Sequence, residues 1–179
     1  MNGRAWRYAL PPDLQGKLSI NLLEFIASAI TIHLSMQHTK APSKVLAYTD
    51  SSSALGWLYK ASFSSSQPLH DKVARWLALD LIKHKSALYS QHIRGKHNII
   101  ADILSRDTHI PDNQLIRLLS IIAPHVQMPT NLTLHPLPTE ITSWLASMSR
   151  LSTNMKPLSQ TPGRSTLGAL ISGAGSFLT

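Results

Sequence analysis

Val45-Leu46-Ala47-Tyr48-Thr49-Asp50 is a compact apolar run closed by a carboxylate. With the turn-forming Ala41-Pro42-Ser43 ahead of it, the run predicts a buried strand with Asp50 at its carboxyl end. Upstream, Leu22, Leu23, Ile26, Ala29, Ile30, His33 and Leu34 recur at helical spacing and predict a helix from Ile20 to about Gln37. Earlier still, Arg4 to Leu10 alternates loosely around Trp6 and Tyr8 and predicts a short strand stopped by Pro11-Pro12. Downstream, Ser51 to Tyr59 reads as a helix with Leu55 and Leu58 inward, and Ser62 to Gln67 as a serine-rich loop. A second strong helix runs from Leu69 to His84 with Val73, Trp76, Leu77, Leu79 and Leu81 as apolar surface. Ala87 to Ile93 follows as a second buried strand, Gly95 turns the chain, and Asn98 to Ser105 reads as a short helix. The order strand, helix, strand, helix, helix, strand, helix predicts an α/β layer with parallel strands.

After Arg106 the character changes. A modest helix from Asn113 to Ile122 leads into a stretch holding Pro124, Pro129, Pro136 and Pro138. Glu140 to Ser149 predicts another helix, with Ile141, Trp144, Leu145 and Met148 on one face. From Ser152 onward Ser, Thr, Gly and Pro dominate, which predicts a flexible tail. The expected organisation is a domain over residues 1–106, a helical and Pro-rich connector over 107–150, and the tail over 151–179.

The chain has 179 residues, enough for one domain with a sizeable core, and 43% of them are hydrophobic. Its 17 Lys and Arg against 9 Asp and Glu give a net charge of +8, which predicts a polyanionic partner: nucleic acid first, an anionic membrane surface second. Most of that excess, +6, falls in residues 1–105. With no cysteine, disulfides and thiolate metal sites are excluded. The start Met1-Asn2-Gly3-Arg4-Ala5-Trp6 has no signal-type apolar core. The longest apolar stretch, Ile20 to Leu34, is broken by Asn21, Glu24 and His33 and reads as too short to span a bilayer. The expectation is an intracellular protein, cytoplasmic or nuclear, neither secreted nor in the membrane.

Three carboxylates stand out by position: Glu24 early in the main helix, Asp50 at the end of a strand, and Asp102 in the short helix after the next strand. In open α/β sheets ligands gather at the carboxyl ends of strands. Hard divalent cations take oxygen ligands from a few carboxylates and leave room for water and phosphate. A pair of such ions can activate water for phosphodiester cleavage. Each carboxylate also has a plainer reading. Asn21-x-x-Glu24 could be a capping-box start, Asp50 an N-cap, and Asp102 a solvated helix residue.

Three blocks in order carry a resemblance: Ile20-Asn21-Leu22-Leu23-Glu24, then Tyr48-Thr49-Asp50-Ser51-Ser52-Ser53-Ala54, then the run from His92 to Arg106 with Gly95-x-x-Asn98-x-x-Ala101-Asp102-x-Leu104-Ser105-Arg106. Together they resemble successive motifs of ribonuclease H domains of retrotransposon polyproteins, over roughly residues 4–106. The resemblance implies a ribonuclease H-like fold and Mg²⁺ or Mn²⁺ dependence. It implies hydrolysis of RNA in RNA/DNA hybrids beside an upstream reverse transcriptase, with an integrase or recombinase downstream. By resemblance Glu24, Asp50 and Asp102 match catalytic metal ligands, and His92 or His97 a histidine that assists product release. Lys60, Arg94, Lys96, Asn98 and Arg106 are the expected nucleic-acid contacts.

One departure limits the match. The family's first catalytic Asp sits on a central strand that, with its partner, precedes the strand resembled by Arg4 to Leu10. Only Met1-Asn2-Gly3 stand ahead of it here, and Asp13, in a loop after two prolines, is no substitute. The expectations are an incomplete fold lacking its first two strands, very low activity alone, and an uncovered strand at Val45 to Thr49 that lowers solubility or alters strand pairing. The other readings are a non-catalytic nucleic-acid-binding or linker module, and an unrelated small α/β protein. The nine histidines show no tight metal-ligand spacing. Lys72, Arg75, Lys83 and Lys85 read either as a phosphate-facing surface or as a solvated face, and Trp57, Trp76 and Trp144 as packing residues.

Overall fold

The computed structural model describes residues 2–39, 41–107, 109–122, 131–148 and 166–172. Elements follow in the order β1 (Asn2–Ala9), α1 (Ile20–Gln37), β2 (Lys44–Thr49), α2 (Ser52–Trp57), α3 (Pro68–Lys83) and β3 (Ala87–His92). A 3-10 turn (Gly95–His97) then leads to α4 (Ile99–Arg106), α5 (Asp112–Ile122), β4 (Asn131–Leu134), α6 (Thr139–Ala146) and β5 (Thr166–Ser172). The protein is mixed α/β.

The single parallel layer expected from the element order is corrected to two small sheets. One has the order β4-β1-β5, and the other is the pair β2-β3. β1 runs parallel to β4 and antiparallel to β5, from Gly3 opposite Ser172 to Ala9 opposite Thr166. β2 and β3 are parallel, with Lys44 opposite Ala87 and Thr49 opposite His92. Neither β4 nor β5 was expected. β4 lies in the Pro-rich stretch whose composition predicts a connector, and β5 in the stretch whose composition predicts a flexible tail. The rest of that tail falls outside the described residues.

β1 is the centre of the molecule because its side chains alternate between two cores. Trp6 is buried with α1 residues, and its indole N–H donates to Thr31 Oγ1 at 3.2 Å. Ala5 faces the other way, into a smaller core made by Ile100 and Leu104 of α4, Leu115 and Leu119 of α5, and Leu132 of β4. The Arg7 guanidinium locks this second side. Nη1 donates to Asp107 O at 3.2 Å and Nη2 to Ile110 O at 2.7 Å, while Asp112 is its ion-pair partner. It thus holds the end of α4 and the start of α5 against the strand. α6 joins the main core through Ile141 and Leu145, and Trp144 lies 4.3 Å from Trp76, ring to ring.

α1 is apolar on nearly every side because it is the inner helix of the main core, and a helix with no polar face is a buried one. It runs to Gln37, beyond the apolar stretch read from sequence. Its 18 residues and mean hydropathy of 1.2 make it the one helix among the described residues long and apolar enough to cross a membrane. Here Phe25, Ile26, Ala29 and Ile30 are fully enclosed. Ser19 caps it by accepting from Leu22 N at 3.3 Å, so the capping-box reading of Asn21 and Glu24 is corrected.

The reading of Ala87 to Ile93 as a buried strand is also corrected. Val45 and Thr49 of β2 face the main core, but β3 is half exposed along its length. α3 closes with Ser86 N–H donating to Leu81 O and Lys85 N–H to Ile82 O, with Lys85 in the left-handed region at φ 50°. That pair of bonds is a Schellman turn, which usually takes glycine at this position. The turn delivers Lys85 to the same end of the sheet as Lys44.

Candidate functional site

Parallel pairing of β2 with β3 sends both following loops off one edge, and the motif residues meet there. Ile93 N–H donates to Thr49 O at 2.9 Å and extends the ladder past the end of β3. His92 Nε2 lies 3.2 Å from Asp50 O, so the ring donates to that carbonyl from its Nε2–H tautomer. Asn98 Nδ2 donates to Asp50 Oδ1 at 2.8 Å across 48 residues of chain. A Cβ on Gly95 would lie 3.3 Å from Asp50 Oδ2, so glycine lets the loop backbone close over the carboxylate. Asp50 itself remains exposed.

Asp50 is not the N-cap of α2; that alternative is corrected. Ser51 does the work, with its Oγ accepting from Ala54 N at 3.1 Å while its own N–H donates to Thr49 Oγ1 at 3.1 Å. Ser51→Ala is expected to cost about 1 kcal/mol, the usual worth of a serine cap. Urea denaturation checks this, and an unchanged midpoint would remove the cap from the account.

Asp102 stands one helical turn beyond Asn98, its N–H donating to Asn98 O at 3.0 Å, and its carboxylate is bonded by Arg106 Nε. Glu24 is half-buried on α1 and has no ion-pair partner among the described residues. Asp50 is thus bonded to Asn98, the residue one helical turn before Asp102, and Glu24 takes part in neither contact. Among the described residues no three His, Asp or Glu side chains lie close enough to hold a metal ion. The trio as placed does not fit a metal cage. Asp50 is held by an amide and Asp102 by a guanidinium.

Of the expected nucleic-acid contacts, Arg94, Lys96 and Asn98 share the loop after β3. Arg94 and Lys96 are exposed, whereas Asn98 is half-buried and engaged by Asp50. Arg106 lies at the far end of α4, paired with Asp102. Lys60 lies over the Phe63 ring at 4.9 Å, and neighbouring Tyr59 accepts from Ser90 N–H at 2.7 Å, tying that segment to β3. His97 is exposed in the 3-10 turn.

The sequence reading missed a buried polar cluster. His33 Nδ1 is 2.7 Å from Asp80 Oδ2, with both side chains about nine-tenths buried, and Gln37 Nε2 is 2.8 Å from His33 Nε2. His84 Nδ1 approaches the same carboxylate at 3.3 Å. Leu69, Val73 and Leu77 form the buried stripe of α3, and Asp80 continues it; an acid on such a stripe requires a partner. Nearby, burial against Trp57 and Phe63 pushes the His70 imidazole below its ordinary value. The Arg75 guanidinium, with the Phe63 N–H, holds the Asp71 carboxyl low.

Comparison of the chain with protein-family models, with curated proteins and with solved structures found no match.

Proposed function

We propose that this chain is a ribonuclease H-like segment of retroelement origin that binds nucleic acid and is catalytically incompetent by itself. The observation that carries the reading is the Asp50–Asn98 bond. Two residues from two separate motif blocks meet at the carboxyl edge of a parallel pair, where α/β proteins place their ligands. Exposed Arg94 and Lys96 stand beside it, and the net charge of +8 suits a phosphate backbone. What supports the incompetence is that Glu24 is not gathered to Asp50 and Asp102 among the described residues. On this reading the ancestral reaction is hydrolysis of RNA in RNA/DNA hybrids with Mg²⁺ or Mn²⁺. The partners are a reverse transcriptase and an integrase or recombinase, and the setting is intracellular.

The test is a labelled RNA/DNA hybrid followed by anisotropy and by gel. Binding through about four phosphate contacts should weaken roughly 100-fold between 50 and 200 mM salt. Arg94→Glu with Lys96→Glu should weaken it further, with no cleavage in either metal. Turnover abolished by Asp50→Asn would overturn the incompetence. Binding that ignores both salt and the two charge reversals would overturn the site.

A further inference from the structure

Lys44, Leu46 and Tyr48 of β2 and Ala87, Tyr89 and Gln91 of β3 share one face of the two-stranded sheet, and all six are exposed. Leu46 is 46% exposed, and Tyr48 and Tyr89 are each 53% exposed. The opposite face carries Val45, Ala47 and Leu88 into the main core. Parallel strands are ordinarily covered on both faces, so an open face of this kind is unusual.

We propose that this face is a binding platform for single-stranded nucleic acid, with bases stacked on Tyr48 and Tyr89. Tyr89 lies opposite Leu46 and Tyr48 opposite Gln91, which makes the two tyrosines diagonal neighbours on the face, their Cα atoms about 8 Å apart. Successive unpaired bases can lie on such a pair with Leu46 between them, as aromatic sheet faces in other proteins stack two or three bases. The charge is complementary. None of the six residues is acidic, Lys44 stands on the face itself, and Lys85 enters from the turn before β3 at the same end. Gln91 at the other end offers amide donors and acceptors to base edges.

Charge favours the nucleic acid over a second copy of the chain, because a second copy would bring the same net charge of +8 to the basic end at Lys44 and Lys85. A duplex is excluded by its own stacking, which leaves no base face for tyrosine. The platform lies on the sheet face, adjoining the Arg94–Asn98 loop at its carboxyl edge, and does not depend on the ribonuclease H-like reading.

The test uses the full chain and a fluorescein-labelled oligothymidine at fixed salt, read by anisotropy. Tyr48→Ala and Tyr89→Ala should each weaken binding about ten-fold or more, while Tyr48→Phe and Tyr89→Phe keep it. Lys44→Gln should weaken binding and flatten its salt dependence. Both tyrosines are exposed, so thermal midpoints should stay at the wild-type value. Arg94→Glu with Lys96→Glu should reduce hybrid binding more than oligothymidine binding, which separates the platform from the loop. A double alanine variant that binds oligothymidine like the wild type would overturn the proposal. So would sedimentation showing a dimer that the alanine changes dissociate while oligothymidine binding is unaffected.

Discussion

Gly168→Val is expected to lower the thermal midpoint by about 6–12 °C and to expose the C-terminal strand to protease. Gly168 lies on β5 opposite Arg7 of β1, on the side of the sheet that meets α4. A Cβ there would stand 2.8 Å from Leu104 Cβ and 3.0 Å from the Leu104 carbonyl carbon and oxygen. Two of those three atoms are backbone, so no rotamer relieves the contact and either α4 or β5 must move. Overpacking costs about 1–3 kcal/mol where a side chain can give way; against backbone the upper end applies, which sets the midpoint shift for a domain of this size. The consequence is local first. β5 pairs with β1 over seven positions, from Gly3 to Ala9, and Leu167 beside Gly168 enters the main core. Its release would leave one edge of β1 unpaired next to Trp6. Hydrogen exchange should therefore show faster amides on β1 in the variant, with β2 and β3 unaffected. A Gly168→Val protein with the wild-type midpoint and proteolysis pattern would mean that β5 does not seat against α4 as described.

The elements that could be read from sequence are those whose signal is local. α1, β2, α3, β3 and α4 fall within a residue or two of expectation, because each has its own apolar period and its own stop. β4 and β5 had no such signal. Asn131–Leu134 sits among prolines, and Thr166–Ser172 is rich in small residues; both become strands through β1, more than a hundred residues away in sequence. Composition points such stretches toward loop, and tertiary pairing overrides it. The split into two sheets was hidden for the same reason, since element order does not say which strands pair. At the candidate site the ordered motifs led to Asp50, Asn98 and Asp102 but said nothing of how each is held. The bonds from Asn98 and Arg106 come from which neighbours share a loop or a helical turn. His33 was counted among the apolar residues of α1 by its spacing; it is indeed buried, but as a polar group with a partner on another helix.

That partner supports the second large effect. Asp80→Ala is expected to destabilise the protein by about 3 kcal/mol, because it strips a buried imidazole of its acceptor. His33 Nδ1–H donates to Asp80 Oδ2 at 2.7 Å, and Gln37 Nε2 lies 2.8 Å from the other ring nitrogen, Nε2. Removing the carboxylate leaves that N–H with nothing to bond inside the interface between α1 and α3, where Trp76 stacks at 5.0 Å from the ring. His84 loses its carboxylate partner too, though it keeps the Asp80 backbone carbonyl at 3.0 Å. Asp80→Asn should cost markedly less, since an amide oxygen can still accept from Nδ1. The decisive measurement is a double-mutant cycle by urea denaturation. Replacing His33 and Asp80 together by leucine removes both polar groups, and the pair should come out more stable than the sum of the single changes requires. Strict additivity would show that the two side chains do not depend on each other, and the contact would then carry no special share of the packing between α1 and α3.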